Sequence, residues 1–208
     1  MLGKMAAAPV ADAELDAFLT AEGDEHQQSF NACMAGLHAP FAAVLSRWEG
    51  AIRGGGKLLI FGNGGSAGNA QHIAAELAVR YKTDRPAIAA VALTVDVSTL
   101  TAAANDMGFD AVFSRQVEAL GRPGDVAVGI STSGRSPNVL TALREARSRK
   151  LITTGLIGGD GGPMAPLCDA AIIVPATVTA RVQEMHLLVS HMLCKFLEIR
   201  LGLAQARA

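Results

Sequence analysis

From Asp12 to about Arg53, apolar residues recur at intervals of three and four: Leu15, Phe18 and Leu19, then Phe30, Met34, Leu37, Phe41, Val44, Leu45, Trp48 and Ile52. That spacing collects them on one face of a 3.6-residue helix, so one or two amphipathic helices are predicted, with Pro40 as the place of a break or kink. Gly54-Gly55-Gly56 closes this region and the pattern changes. Five short apolar runs follow, at Lys57–Phe61, Ala87–Leu93, Val126–Ile130, Ile152–Ile157 and Ala170–Val174. They lack polar alternation, which marks strands covered on both faces. Helical periodicity covers Ser66–Tyr81, Phe109–Leu120, Pro137–Lys150 and, last, Thr179 to about Leu203. Strands alternating with helices predict an α/β fold: a doubly wound, five-stranded parallel sheet flanked by helices, with further helices at the N-terminus. In such sheets ligands sit at the carboxyl ends of the strands, so the loops entering the helices are where chemistry is expected.

Composition narrows this picture. A chain of 208 residues fits one domain, expected over 12–208, behind a flexible alanine-rich tail over 1–11. Asp12 and Glu14 arrive before any secretory apolar core forms, and no run approaches the ~18 apolar residues of a membrane span. Lysines and arginines number 18 against 19 aspartates and glutamates. This balance argues against a broad basic surface for nucleic acid and leaves a local anion site open. Cys33, Cys168 and Cys194 are odd in number and scattered, signalling neither a disulfide framework nor a thiolate metal site; a reducing cytoplasm is the expected compartment.

Two loops stand out among the 22 glycines. Phe61-Gly-Asn-Gly-Gly-Ser66 follows the first strand and opens a helix, so its backbone N–H groups can cradle an anion or a polyol. It departs from a dinucleotide fingerprint at Ala67, where a third glycine would stand, and a tight turn with Ser66 as N-cap uses the same residues. Ser131-Thr-Ser-Gly-Arg-Ser136 follows the third strand and precedes Pro137, which suits the first helical position. Its hydroxyls beside helix-end N–H groups can surround a phosphate without any lysine.

On the helices, His72 and Glu76 are four apart and share a face, placed near the helix end toward the crevice. Arg80, one turn on, either positions an anion or is solvated. The last helix carries Arg181, Gln183, Glu184, His186 and His191 in an otherwise apolar stretch. Buried and unpaired, such groups cost ~1–3 kcal/mol each, so they are exposed or used. Spacing does not choose between the two histidines: Gln183 and His186 form a good i, i+3 pair, whereas His191 lies eight residues from Gln183, about 12 Å along a helix.

The segments GNGGSAGNAQHIAAEL (62–77), RPAIAAVALTVDVSTLTAAANDMGFDAVFSRQVEALGRPGD (85–125), GISTSGRSPNVL (129–140) and ARVQEMHLLVSHML (180–193) closely resemble the sugar isomerase (SIS) domain, and within it the phosphoheptose isomerase family. The likeness runs from about Gly62 to His191 and continues more weakly into the N-terminal helices. It implies a flavodoxin-like SIS fold and conversion of sedoheptulose 7-phosphate to D-glycero-D-manno-heptose 7-phosphate, the first step of bacterial heptose supply for lipopolysaccharide and related polymers. It also implies a cytoplasmic homotetramer with sites at subunit contacts. By the same resemblance, Ser131, Thr132, Ser133 and Ser136 hold the phosphate. Asn63, Gly64, Gly65 and Ser66, with Asn105, Asp106, Glu76 and Gln183, contact the sugar. One zinc ion per subunit is held by His72, Glu76, Gln183 and His191, which selects His191 over His186. The long Gln183–His191 span leaves two arrangements, side chains stretching to a midpoint or one arriving from another subunit.

Moving a carbonyl from C2 to C1 needs a base for the C1 proton, a proton shuttle between the oxygens, and stabilisation of an enediolate. Glu76 is the candidate base and His191 the candidate acid, as glutamate and histidine divide the work in triose phosphate isomerisation. Where many family isomerases have aspartate this chain has Asn69, a leaning toward a non-enzymatic relative, the DnaA initiator-associating protein. Retention of both Glu76 and His191 favours the isomerase.

Overall fold

In the computed structural model, residues 11–205 are described; the expected tail over 1–11 falls, except for Ala11, outside them. The N-terminal periodicity resolves into two helices, α1 (Asp12–Gly36) and α2 (His38–Arg53). They part at Leu37, three residues before Pro40. Pro40 sits in the first turn of α2, where a missing N–H breaks no intrahelical bond.

The five apolar runs are strands: β1 (Leu58–Gly62), β2 (Ala90–Ala92), β3 (Val126–Ser131), β4 (Ile152–Gly158) and β5 (Ala170–Val174). They pair in parallel in the order β2-β1-β3-β4-β5, so Leu58 stands beside Ala90 on one side and Val126 on the other. Alternate residues of each strand feed different cores. Leu58, Ile60, Val126, Val128 and Leu156 pack with Val44 and Trp48 of α2 and with the last helix, α7 (Thr179–Arg200). Leu59, Phe61, Ala127 and Ile157 pack beneath α6 (Pro137–Ser148), and both layers are nearly free of solvent. Trp48 is fully buried and still donates its indole N–H to the Thr154 hydroxyl (3.1 Å), satisfying the one polar atom that burial would penalise.

Several bounds differ from expectation. The helix α3 (Gly65–Ala78) stops before Tyr81, α6 stops at Ser148 before Lys150 turns left-handed at φ 63°, and α7 stops at Arg200. β2, at one edge of the sheet, holds three residues of the seven-residue run, Ala90–Ala92 being in register with β1. An additional helix, α4 (Val97–Met107), precedes the stretch where one long helix was expected. That stretch is split into a 3-10 turn at Phe109–Ala111 and the helix α5 (Ser114–Leu120). A second 3-10 segment, Gly162–Leu167, links β4 to β5.

Candidate active site

The chain runs from β1 to β2 on one side, then crosses to β3 on the other. The loops leaving β1 and β3 therefore flank the crevice at the topological switch point, where open α/β sheets bind ligands. These are the two loops singled out in the sequence, and Gly62 at the end of β1 is the register neighbour of Ile130, one residue before the end of β3. The Asn63 and Asn138 amides tie them together with reciprocal bonds, Asn63 Nδ2 to Asn138 Oδ1 at 2.8 Å and Asn138 Nδ2 to Asn63 Oδ1 at 2.9 Å. Asn138 is buried at 1% exposure, and nothing in the sequence pattern marked it.

At the first loop the helix cap is Gly64, not Ser66. Ser66 lies inside the first turn, buried, with its N–H on the Asn63 carbonyl (2.9 Å). At the second loop, Ser131 Oγ and Ser136 Oγ are 3.0 Å apart, Ser131 Oγ accepts the Gly134 N–H (3.1 Å) and Ser133 Oγ accepts the Arg135 N–H (3.2 Å). Ser131 is buried, Thr132 and Ser136 are half-buried and Ser133 is exposed. The hydroxyls converge at the N-terminus of α6, with Pro137 opening that helix, an arrangement suited to phosphate oxygens. Gly134 is obligatory here: its φ is +65°, and a Cβ would stand 2.3 Å from the Gly161 carbonyl oxygen. Arg135 is exposed and turned to Asp160 (2.9 Å), so the cradle is built from neutral donors.

The third group lies between α3 and α7. His72 Nε2 and His191 Nε2 are 2.7 Å apart, and Glu76 Oε1 is 3.5 Å from His72 Nε2. Glu76 Oε2 is buried without a hydrogen-bond partner. Ligand atoms of the three residues lie within 4.8 Å of one another. Two facing imidazole nitrogens and an orphaned carboxylate oxygen make a donor set whose chemistry suits a divalent transition metal, and zinc takes this combination with a position left open. Burial lowers the His191 pKa, and nearby His72 and Lys82 lower it further against the opposing pull of Glu76; the neutral imidazole, able to ligate or shuttle a proton, is the favoured form. The expectation that this group sits near the crevice end of its helix is corrected by the structure. Glu76 lies in the last turn of α3, and His72 is seven residues, about 10 Å along the axis, from Gly65.

Gln183 lies on the glycine-loop side. Its amide covers Gly65 so closely that a Cβ there would stand 2.5–2.7 Å from the amide atoms. Asn105 and Asp106, at the exposed end of α4, hydrogen-bond each other (2.7 Å). His186 does not join His191: it is buried at 1% exposure, neither ring nitrogen makes a well-formed hydrogen bond, and burial, opposed by the nearby Ile157 backbone, pulls its pKa down to about 4. Asn69 faces α7 and donates to Ser190 Oγ (3.3 Å); it is a packing contact between helices, which weakens it as a mark of function. Arg80 is exposed and paired with Asp84. Among residues the sequence did not flag, Tyr81 lies against His191 with ring centroids 5.5 Å apart.

The SIS domain profile matches residues 24–158. The phosphoheptose isomerase of Paramagnetospirillum magneticum is 54% identical over 181 residues, 87% of this chain and 94% of that protein. Phosphoheptose isomerase 1 of Campylobacter jejuni is 51% identical over 85% of this chain and 95% of its own. Among solved structures, phosphoheptose isomerase GmhA from Neisseria gonorrhoeae superimposes with a TM-score of 0.84 at 42% identity, over 89% of this chain and 99% of that one. With the parallel sheet, the paired loops and the His72–Glu76–His191 group in place, these likenesses establish that the chain belongs to the phosphoheptose isomerase family of SIS-domain proteins.

Proposed function

We propose that the protein is an aldose–ketose isomerase converting sedoheptulose 7-phosphate to D-glycero-D-manno-heptose 7-phosphate, the entry step of bacterial heptose supply for lipopolysaccharide. The observation that carries this reading is the meeting of Glu76 and His191, from helices 115 residues apart in sequence, in one cluster beside His72. Ser131, Thr132, Ser133 and Ser136 hold the phosphate, and Asn63, Gly64, Gly65, Ser66, Asn105, Asp106 and Gln183 contact the sugar.

Glu76 removes the C1 proton, and its electron pair forms the C1–C2 double bond as the C2 carbonyl opens to the enediolate. His191 delivers a proton to O2 and then takes one from O1 through the ring nitrogen that does not face the metal cluster, so the ring ends in the protonation state in which it began. Return of the carboxyl proton to C2 leaves the carbonyl at C1. Zinc held by His72, Glu76 and His191 would supply Lewis-acid stabilisation of the oxygens that carry charge. Since Glu76 Oε1 faces His72, that oxygen serves the metal and Oε2 is left for the proton.

We assign the fourth donor, Gln183, to a neighbouring copy, because the Gln183 of the same chain lies over Gly65. The separation of the His72–Glu76–His191 group from the phosphate loop fits sites at subunit contacts of a homotetramer for the same reason. Exposed Leu15, Phe18 and Leu19 on α1 offer apolar surface for such contacts. No helix among the described residues is long and apolar enough to cross a membrane, and the cytoplasm, where sugar phosphates are made, is the compartment proposed. The initiator-associating alternative is not favoured: the relatives at about half identity carry the isomerase name, and Glu76 and His191 are both present. Removing metal with a chelator is expected to abolish turnover, and added zinc to restore it; undiminished turnover by metal-stripped protein would show that the cluster works without a metal.

A further inference from the structure

The end of α3 is capped from a distance. The helix stops at Ala78 with no basic residue in its last turn and no glycine at its C-cap, which is Val79. Its terminal carbonyls would normally go to water or a local cap. Here Arg85 takes them. Its Nη2 donates to the Glu76 carbonyl (2.7 Å), and its Nη1 donates to those of Leu77 (2.7 Å) and Pro86 (3.0 Å). The third nitrogen, Nε, donates to Glu198 Oε1 (2.8 Å), and that same oxygen accepts the Tyr81 N–H (3.2 Å). The Arg85 and Glu198 side chains are 1% and 2% exposed.

Glu198 follows His191 by seven residues on α7, two turns along the same face. One guanidinium therefore joins the backbone of Glu76 to the helix that carries His191. The Tyr81 backbone is tied to the same carboxylate, and its ring rests against His191 at an interplanar angle of 34°, with Lys82 Nζ 5.3 Å from the ring centroid. A sealed ion pair adds little net stability over an apolar pair of the same volume, because desolvation offsets the attraction. What the planar arginine fork supplies here is direction: its four bonds have no freedom to slide.

We propose that Arg85 and Glu198 are positioning residues for the reaction assigned above. They fix the Glu76 backbone and the Tyr81 ring so that the Glu76 carboxylate and the His191 imidazole meet at one point. The kinetic part of this inference rests on the isomerase reading; the geometric part does not.

The test compares full-length Arg85→Lys and Glu198→Gln with Asp125→Asn. Asp125 accepts from the Lys57 and Arg122 backbone N–H groups (both 2.9 Å) and pairs with the Lys57 ammonium where β1 and β3 begin, at the opposite end of the sheet from the loops. For each protein the thermal midpoint, kcat and KM for sedoheptulose 7-phosphate are measured, and zinc alone is titrated into metal-stripped protein. Loss of an outer partner of a ligand costs about 10–100-fold in metal affinity or activity. Arg85→Lys is expected to lose that much in both kcat and zinc affinity with KM within about twofold of the parent. Glu198→Gln, whose amide oxygen still accepts, is expected to lose less. Asp125→Asn is expected to lower the midpoint and keep kcat and zinc affinity. Unchanged kcat and zinc affinity in Arg85→Lys would overturn the inference, as would an equal loss in Asp125→Asn or failure of both Arg85→Lys and Glu198→Gln to fold. If the parent turns over no sugar phosphate, the isomerase reading fails by itself, and the zinc affinities decide the positioning role.

Discussion

Gly134 shows how one position serves both fold and site. With φ at +65° and the Gly161 carbonyl oxygen 2.3 Å from where a Cβ would be, Gly134→Ala strains the loop that gathers Ser131, Ser133 and Ser136. The expected cost is ~1–3 kcal/mol in denaturant unfolding, with a raised KM for the sugar phosphate. Glu76→Gln keeps the shape and removes the proposed base, so turnover is expected to fall by about 10²–10⁴-fold while sugar phosphate still binds in calorimetry; retained turnover would place the base elsewhere. His186 makes a prediction about pH. Its folded pKa is about 4 against an ordinary 6.5, so the buried neutral ring contributes stability that is complete above pH 6.5 and is lost as pH falls from there toward 4. The loss approaches roughly 3 kcal/mol. Thermal midpoints measured from pH 7 to pH 4.5 are expected to fall less steeply in His186→Phe than in the parent. The hydroxyl loop was legible in the sequence because serine, threonine, glycine and proline announce it locally. Asn138, Tyr81 and Arg85 were not, because each is defined by a partner 75 or more residues away: Asn63, His191 and Glu198.

Elements differ in the same way. Buried strands such as β1 and β3 are continuous apolar runs between glycines or turn residues and read directly from the chain. α4 was missed because little of it is buried: its inward face is Ala103, with Leu100 and Ala104 partly packed against the core. Only Ala103 of that helix is buried, while Val97 and Met107 are exposed, so its apolar pattern points the wrong way. The available signal was its cap: Asp96 accepts from the Thr99 N–H (3.1 Å) and the Thr99 hydroxyl (2.6 Å). Asp96→Ala is expected to cost about 1 kcal/mol in denaturant unfolding. Because α4 carries Asn105 and Asp106, KM should rise along with that loss. α3 was read three residues too long for a related reason. Its periodicity runs on toward Tyr81, but Arg85 takes the carbonyls of Glu76 and Leu77 and turns the chain away.

At the scale of the whole molecule, strand order decides where function sits. The β2-β1-β3 arrangement puts the glycine loop and the hydroxyl loop side by side, a neighbourhood that alternating helices and strands predicted in kind. The His72–Glu76–His191 group lies farther down α3, in its last two turns. If, as proposed, the site is shared between copies of a homotetramer, sedimentation is expected to give four times the mass of the chain, and a monomer that turns over at full rate would remove the shared-site account. The assignment as an isomerase is tested most directly by incubating the zinc-loaded protein with sedoheptulose 7-phosphate in heavy water and following the sugar by NMR. The predicted result is a seven-carbon aldose phosphate with solvent deuterium at C2, together with exchange at C1 of the remaining ketose. Absence of both the aldose and the exchange, with zinc and without it, would contradict the account.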